Sequence, residues 1–338
     1  MENINELRYA ENKLKLWYNR EMGKILNVLS VPYNSSIVFG KLISELLQSN
    51  KNVVYVTNDY EENKELIKYI KGYQRNIKYS YLKNYNTTLE PGVLYFINSA
   101  KLSVLKDDVE LIIYDDITSF SNYSKLQIKE KVDNLYKFAH KIIVYSIEDI
   151  YRNMESMEIS SINKLGPIIE PRAITTRINL EEDMPYILYE YLKWFKESKR
   201  KIVLHVPTEE CGDKLYDLYT KKIKVLSDVK IIRFKERDEI KKIEKMLSMK
   251  NQPIMIITEY IGENLNNIND IDIIVINAEN SRFDYKKIVY LCGKVGAREK
   301  YLGEVILISR EVSDDMEKAK DITRYFNKLV WERGLLKV

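Results

Sequence analysis

The chain is poor in the residues that build cross-linked or metal-centred domains. Among 338 residues there are only 2 cysteines and 2 histidines. Cys211 and Cys292 stand far apart and neither lies in a CxxC. A disulfide framework, a cysteine-rich zinc module and a dithiol redox pair are therefore unsupported, and no metal site is expected. His140 precedes the apolar run Ile142–Val144 and His205 lies inside Ile202–Val206, so both read as strand residues rather than as bases or ligands. No apolar run approaches the ~18 residues of a membrane helix. Residues 1–13 lack a basic stretch leading into an apolar one, so no signal peptide is expected. The expectation is a cytoplasmic protein without a membrane span. With 7 prolines and 11 glycines, 45% hydrophobic and 31% charged residues, the chain is neither collagen-like nor disordered. The net charge of +4 permits a polyanionic partner without demanding one. The 26 tyrosines, in a chain also rich in Lys, Ile and Asn, carry little weight by themselves as base-stacking platforms.

What is present is an alternation. A length of 338 residues suggests two domains. Continuous β-branched runs predict strands at Ile25–Val31, Val53–Thr57, Val93–Ile97, Leu111–Tyr114 and Ile142–Tyr145. A second set follows at Lys201–Val206, Val229–Arg233, Ile254–Thr258, Ile271–Asn277 and Gly303–Ile308. Amphipathic stretches lie between them, and Ser313–Glu332 has helical spacing. Runs that are continuous rather than alternating belong to parallel strands buried on both faces. The expected fold is α/β, two tandem doubly wound parallel-sheet lobes. The expected boundaries are 1–170 and 184–338, joined by a linker at 171–183 that holds Pro171.

Ligands of such sheets bind beyond the carboxyl ends of the strands. After the first strand comes Asn34-Ser35-Ser36-Ile37-Val38, where a phosphate-binding loop would need glycines, a lysine and a hydroxyl. Gly40-Lys41 resembles the GK pair of such a loop, but that register puts Leu42 on the metal, so Lys41 reads as a helix-surface residue. The fourth strand ends in Asp115-Asp116, where P-loop proteins hold magnesium and polarise water; the plainer reading is an acidic strand-end cap. Near the end, Tyr290–Gly296 closes a helix on Gly-Lys-Val-Gly before the last strand.

Taken in order, these segments resemble a superfamily 2 helicase core, specifically the ComFA family of competence DNA-uptake ATPases. DDITSFS (115–121) is similar to that family's DEVDAFP, and TEYIGENL (258–265) to its TTTILERG. IDIIVINAEN (271–280), Phe283 and YLCGKVG (290–296) are similar to VDVAVLGAEHPVF…QIAGRVG. HVPT (205–208) matches FVPT, and Pro171-Arg172 falls at the Pro-x-Arg between lobes.

That resemblance implies two RecA-like lobes, Mg-ATP as cofactor, single-stranded DNA and a ComFC-like competence protein as partners. It also exposes departures. The family's loop Lys and Thr fall on Ile37 and Val38, its Glu on Asp116, and its motif VI Gln on Tyr290. The first motif VI Arg falls on Lys294 and the second on Ala297, with Arg298 one position off. The four-cysteine module of many relatives is missing. The lost groups are those that stabilise charge in phosphoryl transfer, where an arginine finger alone is worth ~10³–10⁵ in rate. Asp115, Asp116, Lys294 and Arg298 are thus expected to be vestigial catalytic positions, with Asn34–Val38 a degenerate P-loop. No cofactor is expected unless the pocket still takes Mg-ATP. Small polar residues at the strand ends, Thr57, Asn58, Asn98, Ser99, Lys101 and Thr208, are the candidates for a nucleic-acid strand; solvated turns are the plainer reading. Three functions are consistent with this: a pseudo-ATPase scaffold, a still-active DNA translocase using Lys294 and Arg298 as fingers, or a fold relic that binds only protein.

Overall fold

The computed structural model describes residues 2–83, 88–118, 121–160, 167–235, 237, 238, 243, 246, 249, 251–261, 271–295 and 303–334, with the backbone alone for residues 2–5. They form two compact units, residues 1–165 with 332–338, and 166–331.

In the first unit, helix α1 (Glu2–Tyr18) precedes β1 (Ile25–Ser30), α2 (Gly40–Gln48), β2 (Val53–Thr57), α3 (Lys64–Tyr73), β3 (Lys78–Tyr81), β4 (Val93–Asn98), β5 (Val109–Asp115), α4 (Lys125–Leu135), β6 (Ala139–Ser146) and β7 (Glu155–Ile159). The seven strands form one sheet in the order β3-β4-β2-β5-β6-β1-β7, and every pairing is parallel. Residues of β1, β2 and β4 are buried at every position, which is what the unbroken apolar runs require of strands covered on both faces. Alternation then sorts the side chains. Val54, Val56, Ile112, Tyr114, Ile142 and Val144 pack with Ile128, Val132 and Leu135 of α4. Tyr55, Asp115 and Tyr145 alternate onto the opposite face. Helix α4 begins at a capping box of Ser124 and Gln127, which satisfies two N–H groups the first turn would otherwise leave open.

The second unit contains β8 (Arg172–Thr175), α5 (Tyr186–Glu197), β9 (Lys201–His205), α6 (Glu209–Lys221), β10 (Lys230–Phe234), β11 (Ile254–Thr258), β12 (Ile271–Ile276), α7 (Tyr285–Lys294), β13 (Val305–Ser309) and α8 (Asp314–Glu332). Its sheet runs β10-β11-β9-β12-β13-β8, again all parallel. Ile202, Leu204, Ile274, Ile276, Ile306 and Ile308 pack against Leu188, Leu192 and Phe195 of α5 and Leu215 of α6. A buried bidentate pair, Arg200 Nε and Nη2 to Asp272 at 2.6 Å each, sits at the foot of the sheet, with Glu304 N–H also donating to Asp272 at 2.9 Å.

Two details differ from the linker and boundaries expected above. Strand β8 falls inside residues 171–183 and pairs with β13. The chain also returns to the first unit at its end: Arg333 bonds Glu6 of α1 and donates to the Glu158 carbonyl at 3.0 Å.

Candidate functional site

In the first lobe, residues Val31–Ser35 and a 3₁₀ turn (Ser36–Phe39) join β1 to α2. The loop closes on protein partners. Asn34 Nδ2 donates to Ser30 Oγ (2.7 Å) and to the Ser160 carbonyl (2.6 Å). Ser35 Oγ accepts from the Ile37 N–H, capping the turn, and donates to Glu65 Oε2 at 2.7 Å. Ser36 Oγ accepts from Asn63 Nδ2 at 2.9 Å. Val38 and Phe39 are fully buried, and the Phe39 ring meets Tyr145 edge-on at 5.0 Å. A loop that cradles phosphate needs open N–H groups and a cation. Here Ile37 and Val38 are apolar, and a carboxylate lies against Ser35.

The Gly40-Lys41 pair has another reason to exist. A Cβ on Gly40 would lie 2.4 Å from the Tyr69 ring, so glycine admits Tyr69 of α3 against the helix. Lys41 lines a trough with α1 and α3 residues, including Arg8, Glu11, Tyr69 and Tyr73.

Asp115 ends β5, directly opposite Tyr145 in register, and Asp116 follows it. Asp115 is 1% exposed. Its Oδ1 accepts from the Ile117 and Thr118 N–H groups (2.9 and 3.0 Å), and its Oδ2 accepts from Tyr55 Oη (2.5 Å) and from Thr118 Oγ1. Burial pushes the Asp115 carboxyl above its ordinary range against these four donors, which pull it down. Burial and the neighbouring carboxylate push the Tyr55 phenol upward, so the phenol keeps its proton and donates it. A carboxylate with both oxygens committed in this way is a turn-builder at the strand end. Asp116 accepts from Ser121 Oγ, and its own N–H donates to the Tyr145 carbonyl at 2.9 Å. The residues present therefore do not fit Mg-ATP.

The nucleic-acid candidates of this lobe meet at the ends of β2 and β4. Asn98 Nδ2 donates to the carbonyls of Asn58 (3.0 Å) and Asp59 (3.2 Å), while its Oδ1 accepts from the Ala100 N–H (2.8 Å). Ser99 Oγ donates to Asn58 Oδ1, and Thr57 Oγ1 accepts from the Asp59 N–H. Thr57, Asn98 and Ser99 are buried and lace the two loops together; Lys101 stands exposed beside them.

In the second lobe, Thr208 is exposed and caps α6 by accepting from the Cys211 N–H (3.2 Å); Glu209 and Glu210 fill that first turn. Arg233 is the hub of this crest. It pairs with Asp213 (2.8 Å) and Glu259 (2.7 Å) and donates to three backbone carbonyls. A Cβ on Gly212 would lie 2.6 Å from its guanidinium. Lys294 ends α7 with its ammonium 4.4 Å over the Tyr290 ring. With His205, Tyr290 and Leu291 it lines a cavity of about 10 Å³, room for one water. Burial, then Lys294 and Arg282, drive His205 down to about 3, so this imidazole is neutral. Arg298 lies outside the described residues.

Sequence reasoning missed Tyr55, Glu65, Ser160, Arg233 and Arg282. Their partners lie many residues away, and no local pattern announces them. Thr118 alone had a signal, an Asp-x-x-Thr spacing that permits an Asx-type turn. Among the described residues no group of three or more His, Cys, Asp or Glu side chains is placed to hold a metal ion, and no helix is long and apolar enough to cross a membrane.

The sequence matches no protein-family model, and no curated protein is similar to it in sequence. Solved structures are similar in fold. The E. coli DExH-box NTPase HrpB aligns at a TM-score of 0.55 and 10% identity, over 93% of this chain and 42% of that one. A second structure, of the Escherichia coli DEAH/RHA helicase HrpB, aligns at 0.53 and 10%, over 92% and 43%. This chain thus spans less than half the length of HrpB. S. cerevisiae Dbp5, bound to RNA and ADP BeF3, aligns at 0.55 and 11%, over 96% of this chain and 91% of that one. The fold is that of tandem RecA-like helicase lobes.

Proposed function

We propose that the chain is a superfamily 2 helicase-like scaffold that binds nucleic acid or a partner protein without consuming ATP. Its resemblance to ComFA supports a role in DNA uptake or processing, with single-stranded DNA and a ComFC-like protein as the proposed partners. The observation that carries the reading is the closed crest of the first lobe. Its β1–α2 loop supplies no lysine, its Ser35 and Ser36 hydroxyls are bonded to Glu65 and Asn63, and both oxygens of Asp115 are committed to Tyr55, Thr118 and Ile117. Phosphoryl transfer relies on positioned positive charge, so a loop lined with Ile37, Val38 and the Glu65 carboxylate offers it no foothold. The fold survives such losses because buried apolar strands hold it, not the site.

The test is ATP turnover by the purified chain with magnesium, with and without single-stranded DNA. No turnover above a buffer blank is expected. Turnover that DNA stimulates and Asp115→Asn abolishes overturns the reading in favour of an active translocase. DNA binding that weakens linearly in log K against log salt supports the nucleic-acid role, because phosphate contacts release counterions. No binding at low salt leaves the protein-partner role.

A further inference from the structure

We propose that the trough between α1, α2 and α3 of the first lobe holds a nucleobase carrying a phosphate, presented by a single strand of nucleic acid. The proposal deepens the nucleic-acid reading above and rests on it, but it concerns the helical face rather than the strand ends.

The trough measures about 530 Å³ and is lined by Leu7, Arg8, Glu11, Asn12, Lys41, Tyr69 and Tyr73. Its rings are held in place. Glu11 is 5% exposed, and its Oε1 accepts from Tyr69 Oη at 2.9 Å and from Tyr73 Oη at 3.3 Å. The two hydroxyls lie 3.1 Å apart and the rings meet edge-on at 5.5 Å. Both phenols are thereby anchored from below, and Tyr73, still 48% exposed, presents a ring that has lost its freedom to turn away. Such a ring costs little entropy when a base stacks on it. Gly40 is part of the same construction, since only a residue without Cβ lets Tyr69 lie this close to α2.

Charge completes the match. Arg8 and Lys41 flank the rings, and among the described residues neither makes an ion pair or hydrogen bond. The neighbouring Lys15, on the same face of α1, is neutralised by Glu45 at 2.8 Å. Glu11, the acid inside the trough, is occupied by the two phenols. Two cations to one acid, beside a fixed aromatic surface, suit a ligand with a π-face and a nearby anion, and each cation can meet one phosphate.

The experiment measures anisotropy of a labelled oligothymidylate with the full chain, across a salt series. Tyr73→Ala is expected to weaken binding roughly ten- to hundredfold, the usual loss for one stacked base. Tyr73→Phe keeps the ring but loses its anchors on Glu11 and Tyr69, and is expected to bind more weakly than the parent and more tightly than Tyr73→Ala. Arg8→Ala with Lys41→Ala, both surface changes that spare the core, is expected to reduce the slope of log K against log salt by roughly 1.4, at ~0.7 per phosphate on a single strand. Parent-like binding by Tyr73→Ala and by the double variant overturns this site while leaving the nucleic-acid reading intact. Failure of the parent itself to bind removes both. Thymidine monophosphate is the second arm: if it binds alone as tightly as the oligonucleotide and with the same sensitivity to Tyr73→Ala, the site takes free nucleotide and the strand proposal falls.

Discussion

The two lobes are built on the same plan and have treated their crests in opposite ways. In the first, the loop after β1 is closed by neutral and acidic groups: amide, hydroxyl, phenol and carboxylate, bonded to one another. In the second, the cations remain, and Arg233 is held by Asp213 and Glu259 while Lys294 rests on Tyr290. One crest is filled; the other is charge-paired. Either route keeps a buried polar group satisfied, which is the condition the fold enforces. Neither requires the group to do chemistry.

That contrast can be broken at four places. The largest effect is expected from Arg200→Met in the second lobe. It strands Asp272, fully buried, without its bidentate partner, and should cost ~3–5 kcal/mol of unfolding free energy in a denaturant titration. An unchanged midpoint would show that the pair is idle.

Acid should separate the lobes next. His205, held at about 3, keeps its proton off in the folded chain, while the unfolded chain takes one up below about 6.5. Its contribution to stability therefore falls as the pH drops from 6.5 towards 3, by up to ~1.4 kcal/mol per unit. Asp115 has the opposite sign. Its raised value makes the folded chain the better proton acceptor, so its contribution is fully present below the ordinary 3.8 and is lost as the pH rises through the raised value. Melting between pH 3 and 7 should show the acid-side slope flattened by His205→Gln. A slope left untouched would assign it to other groups.

Asp115→Ala is expected to destabilise the first lobe by ~3 kcal/mol, because Tyr55 and two backbone N–H groups lose their acceptor. Asp115→Asn should cost less, since its carbonyl still accepts from the backbone and the two hydroxyls can turn to accept. Equal losses for the pair would mean that the charge, not the turn, is what matters. The smallest effect is Gly40→Ala, ~1–3 kcal/mol, as Tyr69 is pushed from α2. An alanine there that stabilises would show that the loop, not the tyrosine, needed glycine.

The architecture was legible because burial on both faces writes itself as unbroken Ile, Leu and Val. Each of the ten apolar runs became a strand. Strands β3, β7 and β8 escaped because KYSY, ESMEI and RAIT are edge strands, short and half polar, and β8 lies among prolines. Helix α1 escaped too, since among its described side chains Ala10, Leu14 and Trp17 make only a thin buried apolar stripe. The site was half legible. That Ile37 and Val38 bring neither charge nor hydroxyl to the β1–α2 loop could be read from one line of sequence. That Asp115 answers to Tyr55, sixty residues earlier, could not, because only the register of β2 and β5 brings them together. Gly40 looked like a phosphate-loop glycine, and its purpose was a tyrosine in the next helix.

The clasp of Arg333 on Glu6 carries a consequence for biogenesis. The first lobe is discontinuous: its sheet is made early, but the arginine that locks its opening helix is translated more than 160 residues after β7. Until the ribosome releases that residue, Glu6 of α1 has the Ser160 N–H as its donor, without the arginine.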